Sequence, residues 1–135
     1  MAGITHRTLC SEEIINRMAK DHPHVFSFVG LVRDNAFGRR VLYLEYEAYK
    51  DMAEKKLDEI CAEVRQRWNC DLEIVHRVGR IEIGETVVVI AVGADAYLQA
   101  MDGCRYAIDR IKEVVPIWKK EYFADGSVWV GRQAG

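Results

Sequence analysis

The chain has 135 residues, 50% of them apolar and 30% charged, with a formal net charge of −2. That length suits one domain with a genuine hydrophobic core. The acidic balance disfavours general nucleic-acid binding, and no apolar run reaches membrane-spanning length.

The opening MAGITHRTLCSEE has no charged start leading into an apolar stretch, so no secretory signal is expected and a cytoplasmic location is. Residues 11–19, SEEIINRMA, read as a short helix with Ser11 as N-cap and Glu12 and Glu13 at the positive end of its dipole. His22 and His24 in DHPH show no third ligand, so they read as a polar loop and no metal is expected. VFSFVGLV, residues 25–32, is a β-rich apolar run and reads as a buried strand. RDNAFGRR follows as a polar loop. VLYLEYEAY, residues 41–49, alternates as a half-buried strand, with Leu42, Leu44 and Tyr46 on one face.

Residues 51–68 carry Ala53, Leu57, Ile60, Cys61, Val64 and Trp68 at helical spacing and read as the clearest helix. LEIVHRV, residues 72–78, alternates as a strand, and His76 on it reads as structural. Gly84 and Glu85 mark a turn before TVVVIAV, residues 86–92, a run that suits a central strand covered on both faces. A second long helix is expected over 96–114, capped by Asp95, with Leu98, Met101, Cys104, Ile108, Ile111 and Val115 as its buried stripe. Pro116 forbids its continuation. IWKKEYFA then reads as a strand, Asp125-Gly126 as a tight turn and SVWVG as the hairpin partner. Helices alternate with pairs of strands that can join directly, which predicts an α+β fold with largely antiparallel sheets. Cys10, Cys61, Cys70 and Cys104 have no C-x-x-C spacing and read as buried or half-buried free thiols.

The stretch RIKEVVPIWKKEYF holds Lys112, Lys119 and Lys120 around one proline. A cation in the last turn of a helix is favoured by the dipole alone, so Lys112 has a purely structural explanation. The alternative is an anion pocket. The change of direction at Pro116 can bring Lys112 and Lys119 to one side of the helix–strand junction. Two enclosed amines disfavour each other's charge, which makes an amine a usable base or nucleophile. Arg33, after the first apolar strand, is a third candidate for the same anion. Strand alternation turns Lys120 to the opposite, exposed face.

Five segments carry a family resemblance: FVGLVRDN at 28–35, GRRVLYLEYEAYKDMAEKKL at 38–57, HRVGRIEIGE at 76–85, IKEVVPIWKKE, and GSVWV near the end. In this order, across roughly residues 25 to 130, the chain resembles the large, catalytic subunit of molybdopterin synthase. The resemblance implies an α/β hammerhead subdomain joined to a second α+β lobe in one domain over 1–135, assembled as a homodimer. It implies a partner, a small ubiquitin-like sulfur carrier whose Gly-Gly tail ends in a thiocarboxylate. It implies a substrate, cyclic pyranopterin monophosphate, which receives two sulfurs to become the dithiolene of molybdopterin, with no cofactor. By motif position Lys119 and Lys112 correspond to the catalytic lysine pair and Arg33 to the pocket arginine; Arg132 is a weaker carry-over from the C-terminal tail.

One departure stands out. The family's His-Arg pair at the start of the second long helix is replaced by Ala96 and Tyr97. Arg105, on the same helix, is a candidate to compensate, or else a surface residue paired with Asp109 four positions on. The missing pair motivates an alternative function, a low-activity paralogue that binds the sulfur carrier as a scaffold.

Overall fold

The structure, a computed structural model, describes residues 2–132. In chain order the elements are β1 (Ala2–Thr5), α1 (Ser11–Ala19), β2 (His24–Leu31), β3 (Asn35–Ala36), β4 (Arg39–Ala48), α2 (Lys50–Trp68), β5 (Asp71–Arg77), β6 (Gly79–Glu82), β7 (Thr86–Ala94), α3 (Tyr97–Val114), β8 (Ile117–Phe123) and β9 (Val128–Arg132). Two sheets form, one ordered β1-β5-β7-β2 and one ordered β3-β4-β8-β9 with β6 also on β4. All pairings are antiparallel except β1 with β5. The α+β class expected from the sequence is the class observed. Among the described residues no helix is long and apolar enough to cross a membrane.

Strand β7 explains the first sheet. Alternate side chains of its apolar run serve opposite faces. Val88, Ile90 and Val92 join the main core beneath α2 and α3, while Val89 and Ala91 pack with Ile14 of α1 on the other side. Every residue from Val87 to Ala94 is buried. The main core continues into the second sheet through Leu44, Tyr46, Ile81, Ile117 and Phe123.

Strand β2 differs from its expected buried state. It pairs only with β7 and forms an edge within the chain, leaving Phe26, Val29 and Leu31 at 39%, 36% and 56% exposure. Composition identified the strand but carries no information on its place in the sheet. In β4, Leu44 and Tyr46 face inward as their alternation requires, but Leu42 does not. The register slips between Val41 and Tyr43, which places Val41 in the core and Leu42 outside.

The buried stripe of α3 is also displaced. Ala100, Gly103, Cys104, Ala107 and Ile111 are buried, whereas Leu98 and Met101 are exposed. The helix packs through its small residues, because these allow its backbone to approach α2. A Cβ on Gly103 would lie 2.9 Å from Val64 Cγ1. Neither expected N-cap acts as one: Cys10 and Ala96 hold the cap positions of α1 and α3, without side-chain cap hydrogen bonds. The short strands β1, β3 and β6 have too few residues to show a period. Val78 separates β5 from β6, and Gly79, the first residue of β6, takes a φ of +91°. Cys70 and Cys104 are buried and Cys61 half-buried, but Cys10 is exposed.

Candidate active site

Helix α3 leads directly into the site. Its last turn carries Lys112, exposed, above the buried Ile111 and Val115. After Pro116 the chain enters β8, whose Ile117 is fully buried and which lies between β4 and β9. Alternation then puts Ile117, Lys119, Glu121 and Phe123 on the inner face. Lys119 pairs in register with Tyr46 of β4 and Gly131 of β9. Lys120 faces the other way, 3.9 Å from Glu45 and 3.7 Å from Glu47.

Arg33 follows β2. Its neighbour Val32 is anchored on both sides: Val32 N–H donates to Glu85 O at 3.1 Å and Gly84 N–H donates to Val32 O at 3.0 Å. The Gly84-Glu85 turn is in turn held by Arg77, whose Nη1 lies 3.2 Å from Glu85 Oε2. Arg33 is therefore exposed but attached to a fixed stretch of backbone.

These elements enclose a cavity of about 370 Å³ lined by Arg33, Lys112, Lys119 and Glu121. Its apolar wall comes from Phe28, Leu44, Val88, Ile90, Ile108 and Ile111, and Gly30 and Tyr46 also line it. Gly30 keeps this space open, since a Cβ there would stand 2.9 Å from Val88 Cγ1. Such a volume matches small-molecule sites, which are mostly apolar with a few directed polar groups.

The electrostatics differ from the simple expectation of two amines repelling one another. The nearest charge to Lys119 is negative: its Nζ lies 3.0 Å from Glu121 Oε1, with side-chain exposures of 17% and 5%. The Trp129 ring lies 5.7 Å from the same ammonium. Glu121 Oε2 is buried and has no hydrogen-bond partner. Among the described residues the other such side-chain atoms belong to Arg77, which faces Glu85. The Tyr46 hydroxyl is pushed up to about 12, first by burial and then by the Glu121 charge. Its ring packs edge-on against buried His76 at 5.2 Å, and His76 Nδ1 lies 2.7 Å from the Arg77 carbonyl, in keeping with a structural histidine.

The remaining candidates lie elsewhere. Arg105 is exposed and does not line the cavity, and no ion pair with Asp109 forms among the described residues. Arg132 is exposed and its Nη2 donates to Glu113 O at 3.1 Å, fastening β9 to the end of α3 within the same chain. Ala96 and Tyr97 start α3 outside the cavity, with Tyr97 60% exposed and 6.4 Å from the His24 ring. The sequence reading missed Glu121 and Tyr46. The signal for Glu121 was available: it stands between Lys119 and Phe123 on one face of a strand, where a carboxylate needs a reason.

The MoaE protein family model matches residues 4–114. The molybdopterin synthase catalytic subunit of Halalkalibacterium halodurans is 46% identical over 135 residues, covering 97% of this chain and 85% of that protein. Its counterpart in Bacillus subtilis is 42% identical over 132 residues, covering 96% and 84%. The crystal structure of molybdopterin synthase from Staphylococcus aureus matches with a TM-score of 0.89 at 38% identity, covering 97% of this chain and 96% of that one. The chain belongs to the MoaE family of molybdopterin synthase catalytic subunits.

Proposed function

We propose that the cavity between α3, β2 and β8 is where sulfur passes from the thiocarboxylate of a small carrier protein to cyclic pyranopterin monophosphate. Sulfur transfer in molybdenum cofactor biosynthesis is the activity of this family. One observation supports this placement most: Arg33, Lys112 and Lys119 line the same cavity although Arg33 follows β2, Lys112 lies in α3 and Lys119 lies in β8.

Both reactants carry negative charge, the pterin on its phosphate and the carrier on its tail. Cationic groups at one place neutralise both and bring the sulfur to the pterin carbon, converting an encounter into an intramolecular step. The Gly-Gly tail has no side chains and suits a narrow approach. The apolar wall excludes water, protecting the thiocarboxylate from hydrolysis. Lys119, in the more enclosed position, is assigned to proton transfer and orientation at the reacting carbon. Lys112 and Arg33, both exposed, are assigned to the anions. Arg105 and Arg132 have no part in this assignment. The reaction runs in the cytoplasm, in a complex of this chain with its carrier.

Purified chain, mixed with thiocarboxylated carrier and the cyclic pterin, is expected to form molybdopterin. Tight carrier binding without product would sink this reading and favour the scaffold. The identities of 46% and 42% to catalytic subunits favour the enzyme.

A further inference from the structure

Arg77 is poorly served by its surroundings. Its side chain is 12% exposed, and its Nε and Nη1 are buried without a hydrogen-bond partner. Charged donors left in this way weigh against stability, and a well-packed apolar side chain would cost the fold less. Among the described residues its ion pair is with Glu85, Nη1 lying 3.2 Å from Oε2. What Arg77 contributes therefore passes through Glu85.

Glu85 is engaged at three further points. Its Oε1 accepts from Glu82 N–H at 2.8 Å, its own N–H donates to Glu82 O at 3.1 Å, and its carbonyl accepts from Val32 N–H at 3.1 Å. Gly84 N–H completes the frame on Val32 O at 3.0 Å. These bonds begin where the β2–β7 ladder gives out. The ladder's register slips between Gly30 and Leu31, and its last pair is Leu31 with Thr86. Beyond that point Val32, 3% exposed, is fastened by the turn over 82–85, and Asp34 by the bond from Val41 N–H to its carbonyl at 2.8 Å. Arg33 lies between these two anchors and lines the cavity.

We propose that Arg77 and Glu85 are positioning residues for substrate binding: their ion pair fixes the turn over 82–85 on Val32 and so aims Arg33 at the substrate's phosphate. This rests on the reading of the cavity as the site of a phosphorylated pterin. An exposed arginine loses rotamer freedom when it grips an anion, and a backbone fixed in advance keeps that loss from growing. Neither Arg77 nor Glu85 lines the cavity, so they act on it from behind. Lys119 stands on β8, outside this frame.

The test compares wild type, Glu85→Gln, Arg33→Ala and the double variant, each shown to be folded by thermal unfolding. Glu85→Gln keeps an acceptor for Glu82 N–H and loses the charge facing Arg77. The first readout needs no ligand. Amide hydrogen exchange at Val32 and Gly84 should speed about fivefold in Glu85→Gln, while Val89 and Ile90 of β7 exchange as in wild type. Unchanged exchange at Val32 means that the turn holds without the pair, and the proposal fails.

The second readout is calorimetric titration with cyclic pyranopterin monophosphate. Glu85→Gln should weaken binding about fivefold when Arg33 is present and less than about twofold in the Arg33→Ala background. Equal weakening in both backgrounds means that Glu85 does not act through Arg33 and overturns the proposal. In steady state KM should rise with kcat within about twofold of wild type. A lowered kcat at unchanged KM also overturns it. Where the double variant does not fold, Arg77→Lys carries the test: exchange at Val32 and pterin affinity should shift together, and either one shifting alone overturns the link. Wild type that binds no pterin removes the cavity assignment and this proposal with it. Pterin binding that weakens in Arg33→Ala but not in Glu85→Gln overturns this proposal alone. Wild type that binds the pterin but makes no product with the carrier overturns the sulfur-transfer reading and leaves this one standing.

Discussion

Lys119 Nζ and Glu121 Oε1 meet at 3.0 Å on one face of β8, two positions apart along the strand, with both side chains largely withdrawn from solvent. The pair belongs to the cavity and to the core at once. Removing one partner strands a buried charge, which costs about 3–5 kcal/mol in the fully buried case and less here because Lys119 keeps some solvent contact. Lys119→Ala is therefore expected to lose both stability and turnover. The double variant Lys119→Met/Glu121→Leu should recover stability in urea unfolding while turnover stays about 100-fold or more below wild type, in the range of a lost proton-transfer group. A double variant with restored turnover would remove Lys119 from the chemistry.

The arginines separate by location. Arg33 lines the cavity, whereas Arg105 and Arg132 do not. Arg33→Ala should raise KM for the pterin about tenfold or more, the scale of a lost charge-assisted hydrogen bond. Arg105→Ala should leave steady-state kinetics unchanged. Equal losses in the two variants would contradict the assignment of the mouth.

Gly30 is a test of shape. Its missing side chain leaves room beside Val88 and Phe28, and all three line the cavity. Gly30→Val should narrow the site and raise KM for the pterin in steady-state assays, with about 1–3 kcal/mol lost to overpacking. An unchanged KM would show that the substrate does not pass this wall.

Gly103 poses the opposite question, one of stability alone. In a helix interior Gly→Ala gains about 1 kcal/mol from propensity. Here the added methyl meets Val64 Cγ1 at 2.9 Å and Val92 Cγ1 at 3.4 Å. Overpacking of this kind costs about 1–3 kcal/mol, so the net change should be destabilising. Thermal unfolding of Gly103→Ala decides the sign, and a rise in Tm would mean that α2 and α3 separate freely.

Stability should fall on both sides of neutral pH. Asp125 is held below the usual carboxylate range by its hydrogen bonds from Ser127, and Glu85 by the Glu82 N–H and by Arg77. For Glu63 burial pushes upward, but the bonds from Tyr106 and Arg110 outweigh it and the net shift is down. Folded-state values that are depressed give stability present above the unfolded value, about 4, and lost as pH falls through the folded ones.

At the alkaline end burial pushes Cys104 up to about 12, and burial with the Glu121 charge does the same to Tyr46. Raised values give stability that is complete below the unfolded value, about 8.5 for the thiol and about 10 for the phenol, and lost as pH rises toward 12. Urea midpoints measured against pH should show both limbs. Tyr46→Phe should flatten the alkaline one above pH of about 10.

The sequence by itself determined the elements whose residues carry their own reason. The run TVVVIAV suited a strand covered on both faces, which β7 is, and Pro116 forbade α3 to continue. Alternation separated Lys119 from Lys120, and the motif order named the family. Tertiary structure decided what depends on neighbours far along the chain. It made β2 an edge, turned Leu42 outward through a slipped register, and chose the small residues of α3 over Leu98 and Met101 as its packing stripe. It also joined Arg33 to the two lysines, sent Arg132 to the end of α3, and set Glu121 against Lys119. Periodicity is a property of consecutive residues and survives in the sequence; which face is covered, and which charge lies beside which, is fixed only when separate elements pack and exclude water together.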